Sequence, residues 1–295
     1  MTVSENIVVT GASGQLGRLV VADLLRTLPE AHVIGIVRNS AAAKDLADRG
    51  VELRVAHYED ACSVAAALAG ADKVLLISSS AARRRTWLHR HVIDAAQAEG
   101  VKLFAYTSML HADTNAMALA VEHRETEALI RSSGLPFAFL RNGWYTENYT
   151  ASLAAVLRRG AVLGAAGDGR VSSAARADFA AAAAAVLANP ASHAARFYEL
   201  AGDSSYTLTD LAAEIATQSG KPVVYRNLSE ENYKAALQAD GLPEEFSEIY
   251  AESDVKTAMG ALYDESRQLS GLIGRPTTTM AQTVAAALAQ IPSIP

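Results

Sequence analysis

The stretch VVTGASGQLGRLV, residues 8–20, decides the fold. A β-branched run gives way to a turn at Gly11, after which apolar residues recur at helical spacing. Gly11, Gly14 and Gly17 form G-x-x-G-x-x-G across that junction. The first glycine permits a tight turn, the second lets backbone amides approach a pyrophosphate, and the third lets the helix pack closely on the strand. The helix N-terminus adds partial positive charge for the phosphates. A bare glycine motif is weak evidence, but in a strand–turn–helix at the head of a βαβ pattern it is a dinucleotide site.

Outward from this turn the pattern repeats. NIVVT (6–10), HVIGIV (32–37), VELRVA (51–56), KVLLIS (73–78), KLFAYTS (102–108) and PFAFLRN (136–142) are apolar strands separated by helical stretches. Asn39 or Ser40 is placed to cap the second helix and Asp60 the third. Strands alternating with helices of 10–15 residues predict an α/β, Rossmann-type doubly wound parallel sheet. After residue 143 the rhythm changes. The glycine- and serine-rich segment AVLGAAGDGRVSSAARAD reads as a loop, FYELAG (197–202) and VVYRNL (223–228) as isolated strands, and the remainder as helix. The expected division is residues 1–143 as the nucleotide domain, with segments around 165–190 returning to it. Residues 144–295 form a smaller, mostly helical, discontinuous substrate region.

Bulk properties narrow the class. The chain has 295 residues, of which 50% are hydrophobic and 20% charged, so it has ample material for a core. Its longest apolar run, FAAAAAAVLA (179–188), is far below the roughly 18 residues that suggest a membrane span. The polar, slightly acidic N-terminus does not read as a signal peptide, and the single cysteine, Cys62, fits a reducing cytoplasm. The net charge is −6, and acids dominate from Glu230 to Glu265, which disfavours a nucleic-acid partner. The triplet Arg83-Arg84-Arg85 reads as a solvated helix start. The seven histidines and one cysteine form no metal-ligand pattern. A monomer or homodimer acting on a small molecule is expected.

The dinucleotide is read from the end of the second strand. An NAD site usually places an acid there for the ribose 2′-hydroxyl. This strand ends Val37-Arg38-Asn39, and the planar cation of Arg38 suits a 2′-phosphate, so NADP is favoured over NAD. The chemistry is less conventional. Short-chain dehydrogenases carry Tyr-x-x-x-Lys, whose lysine lowers the tyrosine's pKa for proton transfer. No tyrosine in this chain has a lysine four residues on. On the helix where the pair belongs, Leu119 and His123 occupy its two slots, while Ser108, in YTS, matches the family's serine.

These features resemble the NmrA-like family of atypical short-chain dehydrogenases, and within it the bacterial quinone-reducing branch. The likeness runs along almost the whole chain and is carried by TGASGQLG, GIVRN, LLISSS, YTSMLHADT, LRNGWYTENY, GAAGDGRVSSAARAD and YELAGDS. It implies NADPH along the strand ends and a quinone held between the two regions. Carried over by position, Gly11, Ala12, Ser13, Gly14, Gln15, Leu16 and Arg38 would meet the phosphates. Ser78, Ser79, Ser80 and Lys102 would border the ribose and nicotinamide. Asn142, Gly143, Trp144 and Tyr145 would wall the nicotinamide and quinone, with Tyr149 nearby. Tyr145, Asn142 and His123 are the candidate catalytic groups. The resemblance implies hydride transfer to quinones without flavin, since a quinone is a good hydride acceptor and needs no strong acid. The alternative it leaves open is an NADP(H)-sensing regulator without catalysis.

Overall fold

The computed structural model describes residues 5–81 and 83–291; the first four residues of the N-terminal stretch read above lie outside this range. Six strands follow the expected order: β1 (Asn6–Val9), β2 (His32–Val37), β3 (Glu52–Val55), β4 (Lys73–Leu76), β5 (Leu103–Met109) and β6 (Phe137–Asn142). Three more come later: β7 (Ala161–Gly164), β8 (Arg196–Leu200) and β9 (Val224–Asn227). The main sheet has the order β3-β2-β1-β4-β5-β6-β8, and its neighbours from β3 through β6 pair in parallel. Ile7 is the pivot of the sheet, aligned with Val33 on β2 and with Lys73 on β4.

This order is the doubly wound arrangement read from the sequence. The chain steps outward from β1 to β3 and then returns to β1's other side for β4. Crossover helices therefore leave β1 and β4 toward opposite faces, opening a crevice beyond their carboxyl ends. Val8, Ile34, Val74, Phe104 and Phe139 alternate into one buried face, with Val92, Ile93 and Ile130 from the covering helices. Burial on both sides explains why these strands are continuous apolar runs rather than alternating ones.

Local signals held unevenly. Asp60 caps the helix Ala61–Leu68, its Oδ1 accepting from the amides of Cys62 and Ser63. Ser40 caps nothing: its φ of −67° and ψ of −32° are already helical, and it opens a short 3₁₀ turn, Ala41–Ala43. The side chain of Asn39 takes the local bond instead, accepting from Ala41 N at 2.9 Å.

The C-terminal half departs further. Part of the segment expected to be loop is β7, which pairs in parallel with β9, Ala161 opposite Val224. FYELAG is not isolated, since β8 joins the main sheet beside β6. The chain divides into two compact units. One comprises the chain to Ala112, Val121–Asn142 and Ala177–Tyr198; the other comprises Asp113–Ala120, Gly143–Arg176 and the chain from Glu199 onward. The segment Ala177–Tyr198, which overlaps the stretch around 165–190, belongs to the first unit. The second unit packs Leu153, Val156, Leu208, Leu211, Ile215 and Val284 into its own core. Its helices Leu208–Ser219 and Met280–Leu288 each begin with a capping box, built on Thr207 with Asp210 and on Thr279 with Gln282. Among the described residues no helix is long and apolar enough to cross a membrane.

Candidate cofactor site

A cleft of about 590 Å³ opens beyond the carboxyl ends of β1 to β4, within the size range of small-molecule sites. Its floor begins with the glycine turn. Gly11 adopts φ +60°, the left-handed region that glycine alone enters without strain. A Cβ at Gly17 would stand 2.3 Å from Gly11 O and 2.8 Å from Ala12 Cα, so helix and strand meet there with no room for a side chain. Gly14 sits at the N-cap of the helix Gln15–Thr27 and supplies no side-chain cap, and the first turn carries no acid. The opening amides and the positive end of this helix are therefore left for an anion. Gly11, Ser13 and Gly14 line the cleft. The side chains of Ala12 and Leu16 are buried, so only their backbone can serve a ligand, and Gln15 is exposed at the first turn.

Beside the turn, Arg38 leaves the end of β2 exposed and lines the same cleft. No carboxylate lies within ion-pairing distance of its guanidinium among the described residues. The end of β3 adds His57, Tyr58 and Glu59 to the lining, which the sequence reading missed. β3 runs parallel beside β2, with Val37 opposite Val55, and this pairing brings the two ends together. Burial raises the Tyr58 phenol above its ordinary pKa, partly offset by the Thr10 hydroxyl and the nearby charge of Arg38. Glu59 is paired with Arg84 at 3.0 Å.

The fourth wall is Ile77 to Ala81, following β4, and it contains Ser78, Ser79 and Ser80. Ser78 Oγ is buried and makes no hydrogen bond of standard geometry among the described residues, the Tyr106 phenol being a polar neighbour. The bare helix terminus, an arginine with no acid beside it among the described residues and a wall of three serines are together what a phosphorylated dinucleotide with a polar ribose requires.

Other predicted residues fall elsewhere. Lys102 precedes β5 at the opposite edge of the sheet, where its Nζ pairs with Asp72 Oδ1 at 2.9 Å. It therefore cannot border a ligand bound at the carboxyl ends. His123 is buried, and its Nδ1 lies 2.8 Å from the Tyr106 hydroxyl. Burial holds its pKa well below the ordinary histidine value, with the charge of Arg85 adding to the effect. It is thus a neutral core residue and not a proton donor facing the cleft. Ser108, at the family's serine position, donates instead to Glu127 Oε1 at 2.6 Å. That carboxylate is fully buried and also accepts from Arg141, Nε at 2.9 Å and Nη2 at 2.7 Å. The serine is committed to this ionic cluster.

Asn142 ends β6 in the first unit, buried, with its carbonyl accepting from Leu110 N at 3.0 Å. In the second unit, Gly143 N donates to Leu200 O at 2.7 Å. Trp144 meets Tyr250 edge-on at 5.6 Å between ring centroids, and Arg176 lies over the Tyr145 ring at 4.7 Å. The Tyr149 hydroxyl is buried without a hydrogen-bond partner among the described residues, and burial raises its pKa well above the ordinary phenol value. Asp254, also in the second unit, accepts from Ala165 N at 2.8 Å, and burial pushes its carboxyl up to about 7. No group of three or more potential metal ligands occurs among the described residues.

A profile described as NAD(P)H-binding matches residues 11–190, which span the glycine turn, Arg38 and the serine wall. The chain belongs to this NAD(P)H-binding family. Quinone oxidoreductase 2 of Escherichia coli is 52% identical over 278 residues, covering 94% of this chain and 97% of that protein. The crystal structure of the Escherichia coli NADPH-dependent quinone oxidoreductase complexed with NADPH superimposes with a TM-score of 0.92, covering 96% of this chain and 99% of that one. The triphenylmethane reductase of Citrobacter sp., solved with NADP(H), is 38% identical with a TM-score of 0.91, covering 95% of this chain and 99% of that one.

Proposed function

We propose that this protein is an oxidoreductase that transfers a hydride from NADPH to quinones without flavin. The observation carrying this reading is the cleft itself, with its bare helix N-terminus, Arg38 and the serine wall, in a chain 52% identical to a quinone oxidoreductase along nearly its whole length. In this reading the amides following Gly11 and Gly14 hold the pyrophosphate, Arg38 holds the 2′-phosphate, and Ser78 to Ser80 hold the ribose. Bound NADPH supplies a hydride.

The residues after β6 serve the acceptor. Gly143, Trp144 and Tyr145 would offer flat surface and neutral hydrogen-bonding groups to a quinone. Hydride addition puts two electrons on the quinone and leaves a hydroquinone monoanion, which takes one proton from solvent. The anion is delocalised over an aromatic ring, so modest hydrogen bonding suffices where a ketone would need a strong acid. The missing Tyr-x-x-x-Lys pair, the committed Ser108 and the buried neutral His123 fit this division: the chain lacks the usual apparatus for ketones, and a quinone does not need it.

The test is direct. Flavin-free protein mixed with NADPH and benzoquinone should consume the reduced nicotinamide absorbance, and NADPH deuterated at the transferred position should slow a hydride-limited turnover. Acetophenone-like ketones should turn over poorly under the same conditions. Tight NADPH binding with no electrons passed to any quinone would overturn the reading in favour of an NADP(H)-sensing regulator.

A further inference from the structure

The serine wall is held in an unusual way. Three successive amides of the chain leaving β4 are each satisfied by a side chain from a different element. Ile77 N donates to Thr10 Oγ1 at 3.0 Å and Ser78 N to Thr107 Oγ1 at 2.8 Å, both hydroxyls near the carboxyl ends of flanking strands. The third, Ser79 N, donates to Nε2 of His89 at 3.0 Å. His89 lies on the helix Arg85–Glu99 and is fully buried.

An amide N–H can only donate, so His89 Nε2 is the unprotonated nitrogen. The ring proton then sits on Nδ1, which lies 3.1 Å from Thr126 Oγ1. That hydroxyl in turn donates its own hydrogen to Glu122 O at 2.8 Å. One turn before His89, Arg85 Nε donates to Ser79 O at 2.8 Å. The guanidinium of Arg85 is fixed by Glu122, Nη1 to Oε2 at 3.2 Å, and the backbone N of Arg85 donates to Glu122 Oε1 at 2.9 Å. Ser79 is thus gripped at its amide and its carbonyl by two side chains four residues apart on one helix. Glu122 and Thr126, four residues apart on the next helix, hold that pair in turn.

We propose that Arg85 and His89 are positioning residues for the cofactor, with neutral His89 as the acceptor that sets Ser79, and with it the serine wall, at the cleft. This rests on the reading that the cleft binds NADPH. Burial opposes protonation of the ring, and the charge of Arg85 adds to this; the ring of Tyr106 stands edge-on to it at 5.4 Å, buried His123 is a further neighbour, and Glu122 is committed to Arg85. The site therefore presents a fixed lone pair to Ser79 across the working pH range.

The experiment measures NADPH binding by nicotinamide fluorescence, well below each variant's Tm and without quinone. His89→Leu removes the acceptor and should weaken NADPH at least fivefold. In His89→Gln the amide oxygen replaces Nε2, and binding should return to within twofold of the parent. Nitrogen-15 spectra of the parent should show His89 Nε2 unprotonated throughout pH 5–8. A His89→Leu protein that binds NADPH within twofold of the parent overturns the proposal, as does a glutamine variant no better than leucine or a protonated Nε2. If the parent itself fails to bind NADPH, the cofactor reading falls instead, so the two failures are distinguishable.

Discussion

The two edges of the main sheet are built from the same parallel strands but treat polar groups in opposite ways. At the amino edge charges are matched internally. Lys73, almost wholly buried, donates to Glu5 Oε2 at 2.6 Å and to Leu187 O at 2.9 Å. Asp72 takes Lys102 on one oxygen and the Asn6 amide, at 2.9 Å, on the other. Glu52 holds Arg54 and lies 3.1 Å from His32. At the carboxyl edge the helix Gln15–Thr27 starts without a side-chain cap, and among the described residues Arg38, which lines the cleft, has no acid beside it. The backbone there is nonetheless tightly pinned, as the Ile77–Ser79 amides show. A ligand edge thus combines a fixed backbone with unsatisfied functional groups, whereas a structural edge satisfies both.

The largest effect that sharpens this contrast is expected at Gly17. A Cβ there meets backbone on two sides, at 2.3 Å from Gly11 O and 2.8 Å from Ala12 Cα. Neither atom can move without opening the phosphate turn, so Gly17→Ala should cost about 3 kcal/mol or more, the upper end of overpacking effects. Thermal unfolding and NADPH binding should both deteriorate. A variant with normal Tm and normal Kd would show that the turn does not depend on this close approach.

Arg38 comes next and affects only binding. A charge-assisted hydrogen bond contributes about 1.5–3 kcal/mol, roughly tenfold to more than a hundredfold in affinity. Arg38→Ala should weaken NADPH by that range, leave NADH nearly unchanged and leave Tm alone, because the guanidinium is exposed and no acid pairs with it among the described residues. Equal loss for both cofactors would remove Arg38 from the 2′-phosphate.

Lys73 should give the reverse pattern at the other edge. Lys73→Met leaves the Leu187 carbonyl without its donor while Glu5, half exposed, is rehydrated. The orphaned acceptor costs up to about 3 kcal/mol, and removing a desolvated ammonium returns part of this. A net loss of about 1–2 kcal/mol in denaturant unfolding is expected, with NADPH Kd unchanged. A tenfold change in Kd would break the separation between the edges.

The same contrast explains which parts of the molecule were legible in the sequence. The glycine turn and Arg38 are local features, fixed by a strand ending and a helix beginning within a few residues. His57, Tyr58 and Glu59 were missed because their place at the cleft depends on β3 lying beside β2, and no spacing along the chain states that pairing. β7 was missed because AVLG is only four residues long, lies amid glycines, and finds its partner β9 some sixty residues later. Ser40 misled because a good cap residue caps only when its own backbone is extended, and here it is helical. His123 stands in a slot known from the short-chain dehydrogenases, but the slot alone does not reveal that Tyr106 engages its ring.

Lys102 carries the smallest expected effect and the sharpest division. Resemblance placed it at the ribose and nicotinamide, but its position before the first residue of β5 puts it at the amino edge, with its side chain 60% exposed. Its bond to Asp72 holds that carboxyl below its ordinary range and raises the ammonium. A depressed carboxyl contributes stability above its unfolded pKa and loses it as pH falls; a raised ammonium contributes below its own unfolded pKa and loses it as pH rises. The pair therefore acts only between the carboxylate and ammonium ranges, and being exposed it contributes little. Lys102→Met should be marginally less stable than the parent near pH 7 and indistinguishable from it near pH 2, if both remain folded there. NADPH Kd and quinone KM should stay within twofold at every pH tested. If instead KM for NADPH rises tenfold with Tm unchanged, the lysine reaches the cofactor, and the assignment of the two edges must be abandoned.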